Sequence, residues 1–213
     1  MDPDKYDAWY QTKKGAWFSA LEFKLIKQLL RPMEGASLLD VGCGTGHFSR
    51  RFAKTGLDVT GLDPDAKMLA YAEKHSSNIT YRSGTAEHIP FPDNSFDHVI
   101  AITSLCFIDD PVQAIKEMWR VTNNKLILGL LNKNSLLCKQ KQNKGSYMGA
   151  RWDNRQDVEN WLKILDVQPA TSPYSSAINI PSANVVARAV EYLVPRHFLY
   201  GGFLAICLSK QPS

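Results

Sequence analysis

Residues 37–49, SLLDVGCGTGHFS, pass from an apolar run into three glycines spaced two apart. A short apolar run that ends on glycine predicts a buried strand, and the TGHFSRRFAKTG that follows predicts a helix closed by Gly56. Strand, glycine turn and helix in that order constrain the fold to a right-handed crossover feeding a parallel sheet. The same glycines leave backbone bare for the close approach of a ligand. In open α/β sheets ligands bind at that place, outside the carboxyl ends of the strands.

The rest of the chain repeats the alternation. Further strands are predicted at 57–63, 78–84, 95–103 and 125–132, with a terminal strand at 201–210. Between them, residues 64–75 predict a helix with Pro64 in its first turn, and 110–122 a helix capped by Asp110 with Pro111 at its start. Residues 17–31 place Phe18, Leu21, Leu25 and Leu29 at helical spacing and stop before Pro32. Later helices are predicted at 154–165 and 181–195, while 133–151 is polar and irregular. A doubly wound α/β domain with a helical N-terminal extension accounts for all of this. With 213 residues the expectation is one domain over 1–213: a helical cap (1–34), a ligand-binding core (35–132), then a substrate-side insertion and terminal strands (133–213).

Composition excludes several classes. A hydrophobic share of 44% with 22% charged residues suits a soluble globular chain, and a net charge of +4 is too small for a dedicated nucleic-acid binder. No apolar run reaches the roughly 18 residues of a membrane helix. Cys43, Cys106, Cys138 and Cys207 lack paired spacing, and the acidic, aromatic start is unlike a signal peptide, so a cytoplasmic protein with reduced thiols is expected. His47, His75, His88, His98 and His197 show no metal-ligand spacing.

The glycine turn fits neither common nucleotide fingerprint. A Gly-x-Gly-x-x-Gly register would put its third glycine on His47 or Ser49, and no Gly-Lys-Ser/Thr follows for a triphosphate. Instead Asp40 ends the first strand and Asp63 ends the second, where an acid accepts from ribose hydroxyls or caps the next helix. A nucleoside without a pyrophosphate is the ligand these residues suit.

At this point the chain resembles the class I S-adenosylmethionine-dependent methyltransferases, in the small-molecule branch similar to the ubiquinone/menaquinone-biosynthesis enzymes. LLDVGCGTGHFS resembles the family's first motif, VTGLDPDAKMLAYAEK its acidic second motif, GTAEHIPFPDNSFDHVIA its adenine-lining segment and DDPVQAIKEMWRVT the helix beyond it, together spanning about residues 35–132. The resemblance implies a mostly parallel seven-stranded sheet with an antiparallel last strand, and S-adenosylmethionine as cofactor with no metal. It implies backbone of Gly42, Cys43 and Gly44 under the methionyl arm, Asp40 ordering that loop or meeting the amino group, and Asp63 on the ribose. Pro64 and Met68 would pack on adenine, the Ala86 amide would reach a ring nitrogen beside Thr85 and Glu87, and Thr103 would flank the arm. Thr85 stands where many relatives have aspartate, a weakened contact that Glu87 or a backbone carbonyl would take over. Tyr10 is the expected cofactor contact from the N-terminal aromatic segment.

The acceptor side is less marked. Cys106, Tyr147, Arg151 and Trp152 are the candidate substrate residues, and no catalytic base stands out. Between Glu117 and Asp153 there is no carboxylate while seven basic residues occur, Lys139, Lys141 and Lys144 among them, which suggests a solvated face or an anionic small-molecule substrate. Transmembrane anchoring and nucleic acid are disfavoured, and a monomer or homodimer is expected. The competing functions are a tRNA/RNA methyltransferase and a non-catalytic sensor of the cofactor.

Overall fold

In the computed structural model, which describes residues 2–76, 78–171 and 173–210, β1 (Ser37–Val41) is an interior strand of a seven-stranded sheet. Met1 and residues 211–213, included in the expected domain span, lie outside the described residues. The other strands are β2 (Asp58–Asp63), β3 (Thr80–Ser83), β4 (Phe96–Ile102), β5 (Thr122–Leu131), β6 (Tyr174–Ala177) and β7 (Phe203–Ser209), in the spatial order β3-β2-β1-β4-β5-β7-β6. The first five run parallel, and β7 pairs antiparallel with both β5 and β6. Strand order reverses at β1, so the chain leaving β1 and the chain leaving β4 diverge and open a crevice between them.

Alternate strand residues feed two cores. Leu38, Val59, Ile100 and Ile127 pack beneath α2 (Lys13–Leu30), α3 (His47–Ala53) and α4 (Ala66–Lys74). Leu39, Val99, Leu126 and Leu128 pack beneath α5 (Pro111–Val121) and α7 (Arg155–Ile164). A sheet covered on both faces needs apolar residues on both, which is why its strands read as continuous hydrophobic runs.

Several elements differ from expectation. The N-terminal extension is two helices: α1 (Pro3–Gln11), capped by Asp2, then α2, whose cap Thr12 accepts from the Gly15 amide at 3.0 Å. Pro64 lies outside α4, because Asp65 is the cap and accepts from the Lys67 amide at 2.9 Å. The stretch 133–151 contains α6 (Leu136–Lys141), too short to show a helical period. Strand β6, within TSPYSSA, has no apolar run; β7 supplies its pairing. Helix α8 (Val185–Leu193) completes the structure.

One polar staple fixes the loop that borders the crevice. Arg120 on α5 holds both oxygens of Glu117 at 2.8 Å and donates to the carbonyls of Ile89 (3.0 Å) and Phe91 (2.9 Å) and to Asp93 (2.8 Å). Glu117 in turn accepts from the Ile89 amide at 3.1 Å. Truncation strands a mostly buried carboxylate and two carbonyls, so Arg120→Ala should cost about 2 kcal/mol by urea denaturation. A loss within error of zero would show that the staple is dispensable.

Candidate functional site

The crevice is built from loop ends. Gly42 follows β1 with φ +72° and its amide donates to the Leu62 carbonyl at 2.7 Å, holding the turn against β2. A Cβ there would collide with the Ser104 side chain, whose Oγ donates to the Val41 carbonyl at 2.8 Å. At Gly44, φ +53°, a Cβ would meet only Tyr6 at 3.9 Å, so this glycine opens onto the crevice. Gly46 backs onto the Tyr81 hydroxyl. Of the three bare positions, Gly42 and Gly46 serve close packing and Gly44 faces the crevice.

Asp63 closes the turn. Its Oδ2 accepts from the Gly44 amide at 2.8 Å and its Oδ1 from the Asp65 amide at 2.9 Å. Burial pushes its pKa up, and these two hydrogen bonds pull against that. A carboxylate has about four acceptor sites, so two remain for hydroxyls. Gly42, Gly44, Asp63, Pro64 and Met68 form one wall of a cavity of about 1210 Å³, its open mouth included. Thr85, Ala86, Glu87 and Thr103 form the other. Thr103 sits at φ +50°, costly for a β-branched residue, and its amide is held by the Gly129 carbonyl at 2.8 Å.

Three of the expected residues lie elsewhere. Asp40 is buried beneath the turn, where Oδ2 accepts from Ser49 Oγ at 2.6 Å, and burial raises its pKa to about 7 against the Ser49 bond. Its position suits ordering the loop. The Cys43 side chain points down onto Gly61, and its amide donates to the Leu62 carbonyl at 3.1 Å. Tyr10 lines a second cavity, stacked on His47 at 3.7 Å and within 3.2 Å of the Tyr6 hydroxyl.

That second cavity, about 1100 Å³ with its mouth, shares Tyr6, Thr103 and Phe107 with the first. Trp9, Tyr10, Phe18 and Tyr147 make it strongly aromatic. Helix α1 forms its roof and is fastened to the glycine turn through Asp7, which accepts from Thr45 Oγ1 at 2.9 Å and pairs with Arg50 at 3.1 Å. Of the proposed substrate residues, Tyr147 alone lines it. Cys106 is buried and its thiol donates to the Thr103 carbonyl at 3.2 Å, with burial holding its pKa up at about 12. Arg151 is committed to Asp153 at 2.8 Å and to the carbonyls of Leu105 and Ile108, both at 2.9 Å. Trp152 is buried behind Tyr147. Lys139, Lys141 and Lys144 line neither cavity; their segment instead contributes Leu137, Ser146 and Tyr147.

Glu22 went unnoticed in the sequence. It is 8% exposed, lines the aromatic cavity, and burial raises its pKa to about 8, with Arg51 pulling the other way. A signal was present: Glu22 follows Phe18 by four and precedes Leu25 and Leu29 on the same helical stripe. Tyr6 and Asp7 carried no comparable signal, since α1 has no buried residues of its own.

Residues 39–128 match the methyltransferase domain family. This stretch is a methyltransferase domain. A malonyl-[acyl-carrier protein] O-methyltransferase of Yersinia pestis is 31% identical over 186 residues, covering 82% of this chain and 66% of that protein. A demethylmenaquinone methyltransferase of Renibacterium salmoninarum is 37% identical over 99 residues, covering 46% of this chain and 42% of that protein. The chain spans about half to two thirds of the length of such curated relatives, 56% and 66% for two of the O-methyltransferases. A solved S-adenosylmethionine-dependent methyltransferase from Thermotoga maritima shares the fold at a TM-score of 0.78, covering 98% of this chain and 96% of that one at 24% identity. No helix among the described residues of the chain is long and apolar enough to cross a membrane.

Asp40 and Glu22 set a pH dependence. Each keeps a proton in the fold that the unfolded chain releases above its ordinary value of 3.8 or 4.5, so native protein binds more protons and stability falls as pH rises toward about 7 and about 8. His47, held down at about 4 by burial, contributes the opposite slope only below its ordinary 6.5. Relative to wild type, Glu22→Gln should therefore gain stability steadily from its ordinary 4.5 up to about 8 and no further. Denaturant titrations across that range would show a constant difference if Glu22 were ionised throughout.

Proposed function

We propose that the chain works as one methyltransferase unit, holding S-adenosylmethionine in the glycine-turn crevice and a small organic acceptor in the aromatic cavity. The observation that carries this is the common wall: Tyr6, Thr103 and Phe107 border both cavities, so two ligands would meet across them. The residues present suit the cofactor, because Gly44 opens onto the crevice and Asp63 keeps acceptor sites free at its floor. When bound, S-adenosylmethionine supplies a methyl group on a sulfonium, which needs an aligned nucleophile and little else.

Asp63 would accept from the ribose hydroxyls. Pro64 and Met68 offer an apolar surface to the base, with Thr85, Ala86 and Glu87 along its polar edge. Gly42, Gly44 and Thr103 flank the methionyl end; Asp40 and Cys43 support that loop from below, and Tyr10 bounds the acceptor side. Helix α1, tied down by Asp7, restricts water at the junction, and holding both partners in one orientation is the main contribution such a site makes.

The test is titration calorimetry with the demethylated product, S-adenosylhomocysteine. Asp63→Ala should weaken binding by at least about ten-fold, roughly 1.4 kcal/mol. Undiminished affinity in Asp63→Ala, or no binding by wild type, would overturn the assignment. Transfer of radiolabelled methyl into a metabolite extract then separates an enzyme from a cofactor sensor, and label in bulk tRNA instead would indicate an RNA acceptor.

A further inference from the structure

Glu22 is the unexplained group in the aromatic cavity. The residue is more than nine-tenths buried and lines the cavity, yet among the described residues its carboxyl takes part in no hydrogen bond and no ion pair. Burying an unpartnered carboxyl is costly, and a leucine would serve α2 equally well if packing were the purpose. Arg51, whose charge acts on Glu22, forms no ion pair with it; it donates to the Ser19 carbonyl at 2.9 Å and lies over the Phe23 ring at 4.2 Å. A ligand group is the partner that remains.

The surroundings say which kind. Trp9, Tyr10, Phe18 and Tyr147 line the cavity, and aromatic rings attract cations. Lys5 is the one basic residue of the lining; its side chain is 86% exposed and lies 3.8 Å from Asp2, at the rim. A carboxylate acceptor would find no buried cation there. An uncharged apolar one would leave Glu22 without a partner.

We propose that the aromatic cavity takes an organic amine as its ammonium form, paired with Glu22, which accepts the ammonium proton before methyl transfer. This rests on the assignment of the adjoining crevice to the methyl donor. With the proton on the Glu22 carboxylate, the freed nitrogen lone pair forms the N–C bond while the C–S bond of the sulfonium breaks and its electron pair leaves with sulfur. Unpaired, Glu22 keeps a proton; an ammonium beside it favours the carboxylate, so amine binding releases that proton to solvent. The same high proton affinity then suits taking one from the amine. Charged or titratable groups facing it are Tyr6 and Tyr10 of α1, Arg51 of α3, and Tyr147.

Matched ligands test this by calorimetry on the full chain, with and without S-adenosylhomocysteine: 2-phenylethylamine against 3-phenylpropanoate, and tryptamine against indole-3-propanoate. Each amine should bind at least about ten-fold more tightly than its carboxylate counterpart. Glu22→Gln should lose that preference while retaining affinity for S-adenosylhomocysteine, and Glu22→Asp should restore part of it. Carboxylates binding as well as amines, no amine binding in either series, or an unchanged preference in Glu22→Gln would each overturn the proposal. Failure of wild type to bind S-adenosylhomocysteine would instead overturn the donor-site assignment, and the amine preference measured without it would still decide the role of Glu22.

Discussion

The carboxylate of Asp63 joins the ends of two neighbouring strands. One oxygen holds the Gly44 amide in the turn after β1, and the other holds the Asp65 amide that starts α4. The clamp adds to the bonds from the Gly42 and Cys43 amides to the Leu62 carbonyl in holding the glycine turn, whose residues occupy the left-handed region at positions 42, 44 and 46. Everything facing the crevice is referenced to it. The turn carries Thr45, to which Asp7 fastens α1, and α1 carries Tyr6, Trp9 and Tyr10 of the neighbouring cavity.

The site is therefore layered. The sheet sets where β1 and β4 end, and order reversal at β1 separates the loops that follow. Two β-branched residues at positive φ border the site: Thr103, which belongs to both cavities, and Ile178 in the aromatic one. The Arg120–Glu117 staple holds the opposite rim from the far side of the sheet. Polar groups support the walls from behind, while backbone, aromatic rings, hydroxyls and a few carboxyls, Asp63 and Glu22 among them, face the interior.

Much of the core was legible in the residues. Strands from 37 to 131 and the helices between them follow from apolar runs, proline positions and caps, since each is a local signal long enough to show its period. Strand β6 and helix α6 were not, because Tyr174–Ala177 depends on β7 for pairing and Leu136–Lys141 is under two turns. The motif residues Gly42, Gly44, Asp63, Pro64, Met68, Thr85, Ala86 and Glu87 gather on one cavity, whereas Cys43, Arg151 and the lysines of 132–152 line neither. Charge density along a segment says nothing of which way its side chains turn.

By itself the sequence determined the parallel crossover sheet, the glycine turn and the acid at the tip of β2, since these depend on local backbone freedom and on apolar periodicity. Only the tertiary structure decided which glycine faces open space, that Arg151 is consumed by the carbonyls of Leu105 and Ile108, and that Glu22 stands unpartnered in an aromatic cavity. Those facts depend on contacts between α1, α2 and loops as much as a hundred residues away, brought together by packing that no local pattern encodes.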